Sequence, residues 1–369
     1  MGLLAVWCEF AQTIFYYPAL LAYVASTLAY VFDPGLAGNG VYNAVIIIVL
    51  FWGGVLLCSR GAALVARLGS GGTLLGTLIP AAILVALGIA YLVQGHHPAA
   101  PVTARQLLPA WNGLASIVLV VNSFFTYAGI EVNAVHVDEL RNPAREYPRS
   151  IFVAMALVLA VFIGPTLAIS WVIPAGQISF TVGVMQAFNN LFTHFGLGFA
   201  VPLIAIALAV GALAGMIAWL DGPSVGLLRI GREQGFLPPY FQKVNRYGIE
   251  VRIIAAQGVV ITLIAVLYAF IPSVSHAYWI FAAMATQVYL IMYVLMFIAA
   301  MKLRRSQPNH VRGYRAPALG LLCLVGAASS VAAFAIGLVP PAQFGHSNPL
   351  VYAVLYSQGF SPSGFSRRC

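Results

Sequence analysis

The fold is decided by residues 114 to 137, which read LASIVLVVNSFFTYAGIEVNAVHV and include one acidic residue, Glu131. The run is long enough to cross a bilayer, because a spanning helix needs about 20 mainly apolar residues. A charged side chain at that depth costs about 2.5 to 3.5 kcal/mol on insertion scales. Glu131 therefore indicates either a functional group or a carboxylate paired with a neighbouring helix.

The residues around Glu131 predict a solute site. Ser123, Tyr127 and Glu131 follow at intervals of four, which would place a hydroxyl, a phenol and a carboxylate on one helix face. Ala128-Gly129 is a point at which a spanning helix can break. A broken helix exposes backbone groups within a membrane only where they line a cavity or a binding site. Substrate binding and proton coupling are both open roles for Glu131.

The composition is that of a polytopic membrane protein. Hydrophobic residues make up 61% of the 369 positions and charged residues 7%, and the mean hydropathy is +0.93. A water-soluble domain cannot cover that much apolar surface with so few charges. We predict an all-α protein with a single membrane domain over residues 1 to 369 and nine spans, at about 3–31, 41–58, 72–94, 113–137, 151–173, 200–228, 253–271, 278–301 and 317–339.

The net charge of +9 reflects topology and not nucleic-acid binding. Nearly all of the basic residues fall in alternate loops, and by the positive-inside rule these loops face the cytoplasm. The first span therefore enters from the cytoplasmic side of the cytoplasmic (inner) membrane. The loop residues in question are Arg60, Arg67, Arg141, Arg145, Arg149, Arg229, Arg232, Lys243, Arg246, Arg252, Lys302, Arg304, Arg305, Arg312 and Arg315.

Other polar residues within the spans are candidates for a transport pathway. Glu9, Thr13 and Tyr16 or Tyr17 share one predicted face, although Glu9 is also close enough to the cytoplasmic end of its span to reach the membrane interface. Asp221 precedes Gly222-Pro223, so it has either a pathway role or a local role at a turn. The remaining candidates have aromatic or hydroxyl side chains, which either line the pathway or only pack against neighbouring helices. They are Trp219, Thr286, Tyr289 and Tyr293.

The sequence predicts no metal, cofactor or enzyme chemistry. The four cysteines are scattered without metal-ligand spacing, and no nucleotide-binding loop is present. A membrane-embedded enzyme would need a nucleophile or base grouped at one membrane face, and no Ser-His-Asp set or His-rich box occurs. His136, near Asp138 and Glu139, indicates a structural hydrogen bond or a proton relay. The sequence does not specify an oligomeric state.

Three stretches together resemble the amino acid, polyamine and organocation transporters, and most closely their glutamate/γ-aminobutyrate antiporters. FTYAGIE at 125–131 with HVDELRNP at 136–143 resembles the sixth span and the following loop of that superfamily. WLDGPS at 219–224 with GFLP at 235–238 resembles the eighth span and its loop. GVMQ at 183–186 resembles an outer loop. The similarity extends from about residue 5 to 345, and the order and spacing of the motifs make it specific.

The resemblance implies an inverted-repeat (LeuT-like) fold of twelve helices. The nine predicted spans would be the third to eleventh of that family, so we expect an N-terminally truncated chain lacking the first two spans and a complete last span. By the same resemblance, the segment formed by Tyr127, Ala128, Gly129 and Glu131 presents backbone groups to an amino acid. Trp219 and Tyr293 match aromatic positions that border the substrate path, and Tyr289 joins them as a candidate for binding or coupling.

The function that follows is secondary active transport of amino acids across the cytoplasmic membrane. Exchange of the glutamate/γ-aminobutyrate kind and proton-coupled uptake are both compatible with the motifs. The partners are an amino acid, the lipid bilayer and, in the second case, protons. Gly215 stands where those antiporters carry a glutamate, and Ile249-Glu250 replaces a hydrophobic-proline pair. The alternatives are a non-transporting remnant and a membrane-embedded enzyme.

Overall fold

The computed structural model describes residues 2–100, 114–132, 134, 137, 140–233, 235–271, 273–310 and 312–339. These residues form eleven α-helices, and no β-strand occurs among them. A π-helical stretch, Leu74–Leu78, joins the third helix to the fourth. The helices are α1 Gly2–Phe32, α2 Gly40–Cys58, α3 Ala62–Thr73, α4 Ile79–Val93, α5 Leu114–Phe125, α6 Pro143–Val172, α7 Gly183–His194, α8 Val201–Glu233, α9 Val251–Tyr268, α10 Val274–Ser306 and α11 Leu319–Gly337.

Several helix ends follow local sequence signals. The Asn39 side chain accepts a hydrogen bond from the Tyr42 backbone N–H at 3.0 Å and begins α2. Ser273 accepts one from the His276 N–H at 3.4 Å and begins α10. These side chains satisfy N–H groups that the first turn of a helix leaves without a partner. Arg304 and Arg305 lie in the last turn of α10, where positive charge is favourable.

The prediction of an all-helical, multi-pass membrane protein is confirmed. Eight helical segments of the described chain are long and apolar enough to cross a membrane. The predicted span over residues 113–137 is different, because α5 has only 12 residues and cannot cross alone. That span, together with the single-domain organisation, stays a prediction. The eight segments are Gly2–Phe32, Gly40–Cys58, Leu64–Val93, Pro143–Val172, Gly198–Glu233, Val251–Tyr268, Val274–Ser306 and Leu319–Gly337.

The helices pack around α1. Its main neighbours are α10 and α8, with α2 and α9 on the other side, and together these five helices enclose the largest buried apolar cluster. A second cluster joins α4, α6 and α7 to the first half of α8. Most of α6 is exposed, with apolar side chains such as Phe152, Leu157 and Phe162 on its surface. In a bilayer such a surface faces lipid tails.

Helix α8 continues through Gly222-Pro223, as the predicted span over 200–228 does. Of the two readings of Asp221, the local role at a turn is wrong, because α8 is helical from Val201 to Glu233. Asp221 is buried within the helix and does not cap a turn. Pro223 has no N–H, so the carbonyl of Trp219 loses its usual donor four residues on. The helix tolerates the proline because neighbouring helices support it on several sides.

Candidate functional site

Helix α5 ends in the middle of the apolar run over residues 114 to 137. Its last residue is Phe125, and residues 126 to 131 form turns. The Ala128 N–H donates to the Phe125 carbonyl at 3.1 Å, and the Val132 N–H to the Gly129 carbonyl at 3.2 Å. Each of these bonds spans three residues and not four, so the α-helical ladder has stopped. The predicted break is present, and it begins at Thr126, two residues before Ala128.

The end of α5 corrects one sequence-based prediction. Ser123, Tyr127 and Glu131 were expected on one helix face, but Tyr127 and Glu131 lie beyond the helix. The four-residue spacing has no geometric meaning in a turn, since it depends on 3.6 residues per turn. What the turns provide is the main chain, and the Tyr127 carbonyl accepts a hydrogen bond from the Tyr293 hydroxyl at 3.3 Å.

Glu131 is held by two tyrosines of α10. The Tyr289 hydroxyl donates a hydrogen bond to Glu131 Oε1 at 2.5 Å. Tyr293, one turn further along α10, also interacts with the Glu131 carboxylate, and the two tyrosine rings lie 5.0 Å apart. Tyr289 is almost completely buried, and Glu131 is half-buried. The three predicted site residues Glu131, Tyr289 and Tyr293 therefore come together between the broken segment and α10.

Trp219 closes the site from α8. Its ring lies so close to Gly129 that a Cβ atom there would overlap the indole. Gly129 also has a φ of +94°, a conformation that favours glycine. The Trp219 ring centroid is 6.2 Å from that of Tyr289, and Ala128 packs in the same apolar cluster. All seven predicted site residues thus lie in one region, bounded by the broken segment, α8 and α10.

Helix α1 supplies a fourth wall. Glu9 lies near enough to Glu131, Tyr289 and Tyr293 to interact electrostatically with each of them. The Tyr16 ring lies 5.3 Å from the Trp219 ring, and Cys8 packs against Tyr289. Glu9 thus lies beside the candidate site, which favours the pathway reading of its sequence position over the interface reading.

The face predicted for α1 is only partly correct. Thr13 points away from the site, where its hydroxyl accepts a hydrogen bond from Gln257 Nε2 of α9 at 2.5 Å. Tyr17 packs on Phe51 of α2 with ring centroids 5.7 Å apart. Thr286 also has structural contacts. Its hydroxyl donates a hydrogen bond to the Ala282 carbonyl at 2.8 Å and lies 3.2 Å from Asn122 Oδ1.

Sequence reasoning missed two residues of this region. Gln12 of α1 is completely buried, and neither polar atom of its side-chain amide has a hydrogen-bond partner. Phe125 packs edge-on against Tyr289 with centroids 5.6 Å apart. The signal for Gln12 was available, since it lies three residues after Glu9 and four before Tyr16. His136, Asp138 and Glu139 lie outside the described residues.

The site has the organisation of a membrane transport protein. The chain leaves the α-helix after Phe125 and presents peptide groups and a carboxylate to aromatic side chains of the surrounding helices. This arrangement resembles the binding sites of solute carriers, in which an interrupted helix exposes its main chain. No cluster of three or more metal-ligating side chains was found among the described residues.

Comparisons with known proteins identify the family. The family described as amino acid permease matches residues 1–360. An uncharacterized transporter of Legionella pneumophila is 32% identical over 355 residues, covering 95% of this chain and 76% of that protein. Glutamate/gamma-aminobutyrate antiporters of two Lactococcus lactis strains are each 27% identical over 362 residues, covering 96% of this chain and 72% of theirs. The chain belongs to the amino acid permease family.

Membership confirms several predictions. The chain is a multi-pass protein of the bacterial inner membrane and a transporter of amino acids, not an enzyme. Its substrate is a small molecule of the amino acid class.

Proposed function

We propose that this chain is a secondary active transporter that exchanges one amino acid for another at the site around Glu131. The observation that carries the proposal is the hydrogen bond from Tyr289 to Glu131. It joins the broken segment after α5 to α10, two elements that must separate and close again when helix groups rock around a central site. A change in the charge of Glu131 would change how firmly the two elements are joined.

The aromatic residues support substrate binding at the same place. The turn at Gly129 is surrounded by Trp219, Tyr289 and Tyr293. The main chain is not helical there, because α5 ends at Phe125. Backbone groups of an unwound segment can bind the amino and carboxylate groups that all amino acids share. Side chains on α1, α8 and α10 would then distinguish one amino acid from another.

The relatives guide the choice of solutes. Since two of them are glutamate/gamma-aminobutyrate antiporters, glutamate and γ-aminobutyrate belong in the first panel, with glutamine and arginine as neutral and basic comparisons. The full chain is reconstituted in liposomes, and uptake of each labelled solute is measured with and without unlabelled solute inside. Exchange requires that internal solute accelerates uptake. A proton-coupled permease would instead accumulate solute in empty liposomes when an inward proton gradient is applied.

Glu131→Gln tests the role of the carboxylate. We expect the variant to lose coupled exchange while substrate binding remains measurable as a ligand-induced shift in Tm. Glu233→Gln, which changes an exposed glutamate at the end of α8, is the matched control and should exchange at the wild-type rate. Unchanged coupled exchange in Glu131→Gln would refute the proposed role.

A further inference from the structure

Helix α1 presents a row of polar groups to the site. Glu9, Gln12 and Tyr16 follow at spacings of three and four, so they share one helix face. The Tyr16 ring lies 5.3 Å from Trp219 and 5.5 Å from Phe125. Gln12 is about one turn from each end of this row, on the same face of α1.

Among the described residues, the two carboxylates Glu9 and Glu131 have no counter-ion. Glu9 and Glu131 interact electrostatically with each other. Within the described residues, neither forms an ion pair with a lysine, arginine or histidine, and the hydroxyl of Tyr289 is the closest donor to Glu131. Two buried carboxylates close together repel each other when both are ionised, and a bound cation offsets that repulsion and favours the ionised form.

Gln12 is a second, independent observation that points to a polar ligand. Its side chain has no exposed surface, and both amide atoms lack hydrogen-bond partners within the described part of the chain. Burying a polar group without a hydrogen-bond partner is unfavourable, so native proteins rarely leave one without a ligand or an ordered water. The amide oxygen can accept a hydrogen bond from an ammonium or guanidinium group.

The surrounding rings are suited to the same kind of group. Tyr16, Phe125, Trp219 and Tyr289 form a chain of contacts with ring centroids between 5.3 and 6.2 Å apart. Aromatic faces attract cations, and the attraction is larger where water is excluded. Carboxylates, an amide oxygen and aromatic rings are together the groups that bind amines.

We propose that Glu9 and Gln12, opposite Glu131, form a subsite for a basic side chain, so that the preferred substrate is an amino acid carrying an ammonium or guanidinium group. The inference rests on the proposed transport function and names its substrate class. Glu9 determines specificity here, since its negative charge would repel a substrate that carries a second carboxylate. Arginine and ornithine are the expected substrates, and glutamate is the disfavoured one.

The test compares arginine with citrulline, which has nearly the same shape but carries a neutral ureido group. The full chain is reconstituted in liposomes clamped at zero membrane potential, and each compound competes for uptake of labelled arginine and labelled glutamine. We expect arginine to inhibit at concentrations about tenfold or more below citrulline, in keeping with the loss of a charge-assisted contact. Glutamate should be the weakest competitor.

Glu9→Gln should abolish the preference, so that arginine and citrulline compete equally. Glu9→Asp keeps the charge and should retain the preference, while the exposed-site variant Glu233→Gln should behave as wild type. The same compounds are also tested for the shift in Tm that they produce in detergent. This measurement reports binding to any variant that folds, whether or not it transports.

The outcomes separate the two proposals. The basic subsite is overturned if arginine and citrulline compete equally in the wild-type protein, or if Glu9→Gln keeps the preference for arginine. In either case, exchange of other solutes would still support the transport proposal. If no solute is exchanged but arginine raises Tm more than citrulline in the wild type and not in Glu9→Gln, the subsite stands and the transport proposal fails. Absence of both exchange and an arginine-dependent shift overturns both.

Discussion

The hydroxyl of Tyr289 donates a hydrogen bond to Glu131 Oε1 at 2.5 Å and so ties α10 to the segment that follows the end of α5. The donor is almost fully buried, which keeps water from replacing it. A hydrogen bond to a charged group contributes about 1.5 to 3 kcal/mol. The pair is therefore a strong connection between two elements that both border the candidate substrate site.

Tyr289→Phe should lower the rate of solute exchange about tenfold or more, because the carboxylate loses its donor while the ring and its packing remain. Exchange in liposomes is the measurement, with Tm in detergent as a check on folding. Tyr42→Phe is the control, since it removes a comparable hydroxyl bond, to the Ala25 carbonyl at 3.1 Å, far from the site. Equal effects of the two variants would show that the Tyr289 bond only supports the fold.

Gly129→Ala should destabilise the protein and abolish exchange. The φ of +94° is strained for any residue with a Cβ atom, and that atom would overlap the Trp219 ring. Strain of this kind costs about 1 to 3 kcal/mol before the overlap is added. The measurement is Tm in detergent together with exchange in liposomes.

Gly71→Ala serves as the control for that substitution. Gly71 lies within α3 and has open space where its Cβ atom would be. Alanine is the better helix former by up to about 1 kcal/mol, so this variant should keep or raise Tm. A Gly129→Ala protein as stable and active as Gly71→Ala would contradict the geometry described for the broken segment.

Thr13→Val should reduce stability without changing which solutes are exchanged. The Thr13 hydroxyl accepts the hydrogen bond of Gln257 Nε2, and both residues are buried on the side of α1 that faces away from the site. Valine has nearly the same shape but leaves the amide without its acceptor, at a cost of about 1 to 3 kcal/mol. A lower Tm with an unchanged order of competing solutes is expected. A changed order would place Thr13 at the site.

Glu250 should make stability depend on pH. It is buried at the start of α9, where the Ser224 hydroxyl donates a hydrogen bond to it. Burial raises the pKa of its carboxyl above the ordinary value of about 4.5, and Asp221 nearby acts in the same direction. The folded chain therefore holds this proton more tightly than the unfolded chain. Its contribution to stability is complete below pH 4.5 and is lost as the pH rises through the folded pKa.

The measurement is Tm in detergent from pH 4 upward. Wild-type Tm should fall over this range more steeply than that of Glu250→Gln, in which the side chain stays neutral at every pH. Glu233→Gln changes an exposed carboxyl and should leave the slope as it is in the wild type. If Glu250→Gln has the wild-type slope, Glu250 is not the group responsible.

The sequence was most informative where a residue was out of place in its surroundings. Glu131 could be identified because a carboxylate within an apolar run is costly, and Gly129 because it follows alanine at a point where a helix can break. One of the two readings of Asp221, a local role at a turn before Gly222-Pro223, was wrong for the opposite reason. Local propensity favoured a break there, and packing against neighbouring helices kept α8 continuous.

The sequence by itself determined that this protein is a helical, multi-pass membrane protein, since hydropathy and loop charge depend only on local composition. Only the tertiary structure decided which groups meet Glu131. Tyr289 is 158 positions away in the chain, and Glu9 is on a third helix. Local pattern has no information about such pairs, because the face that each helix turns toward the site is set by the packing of all of them together.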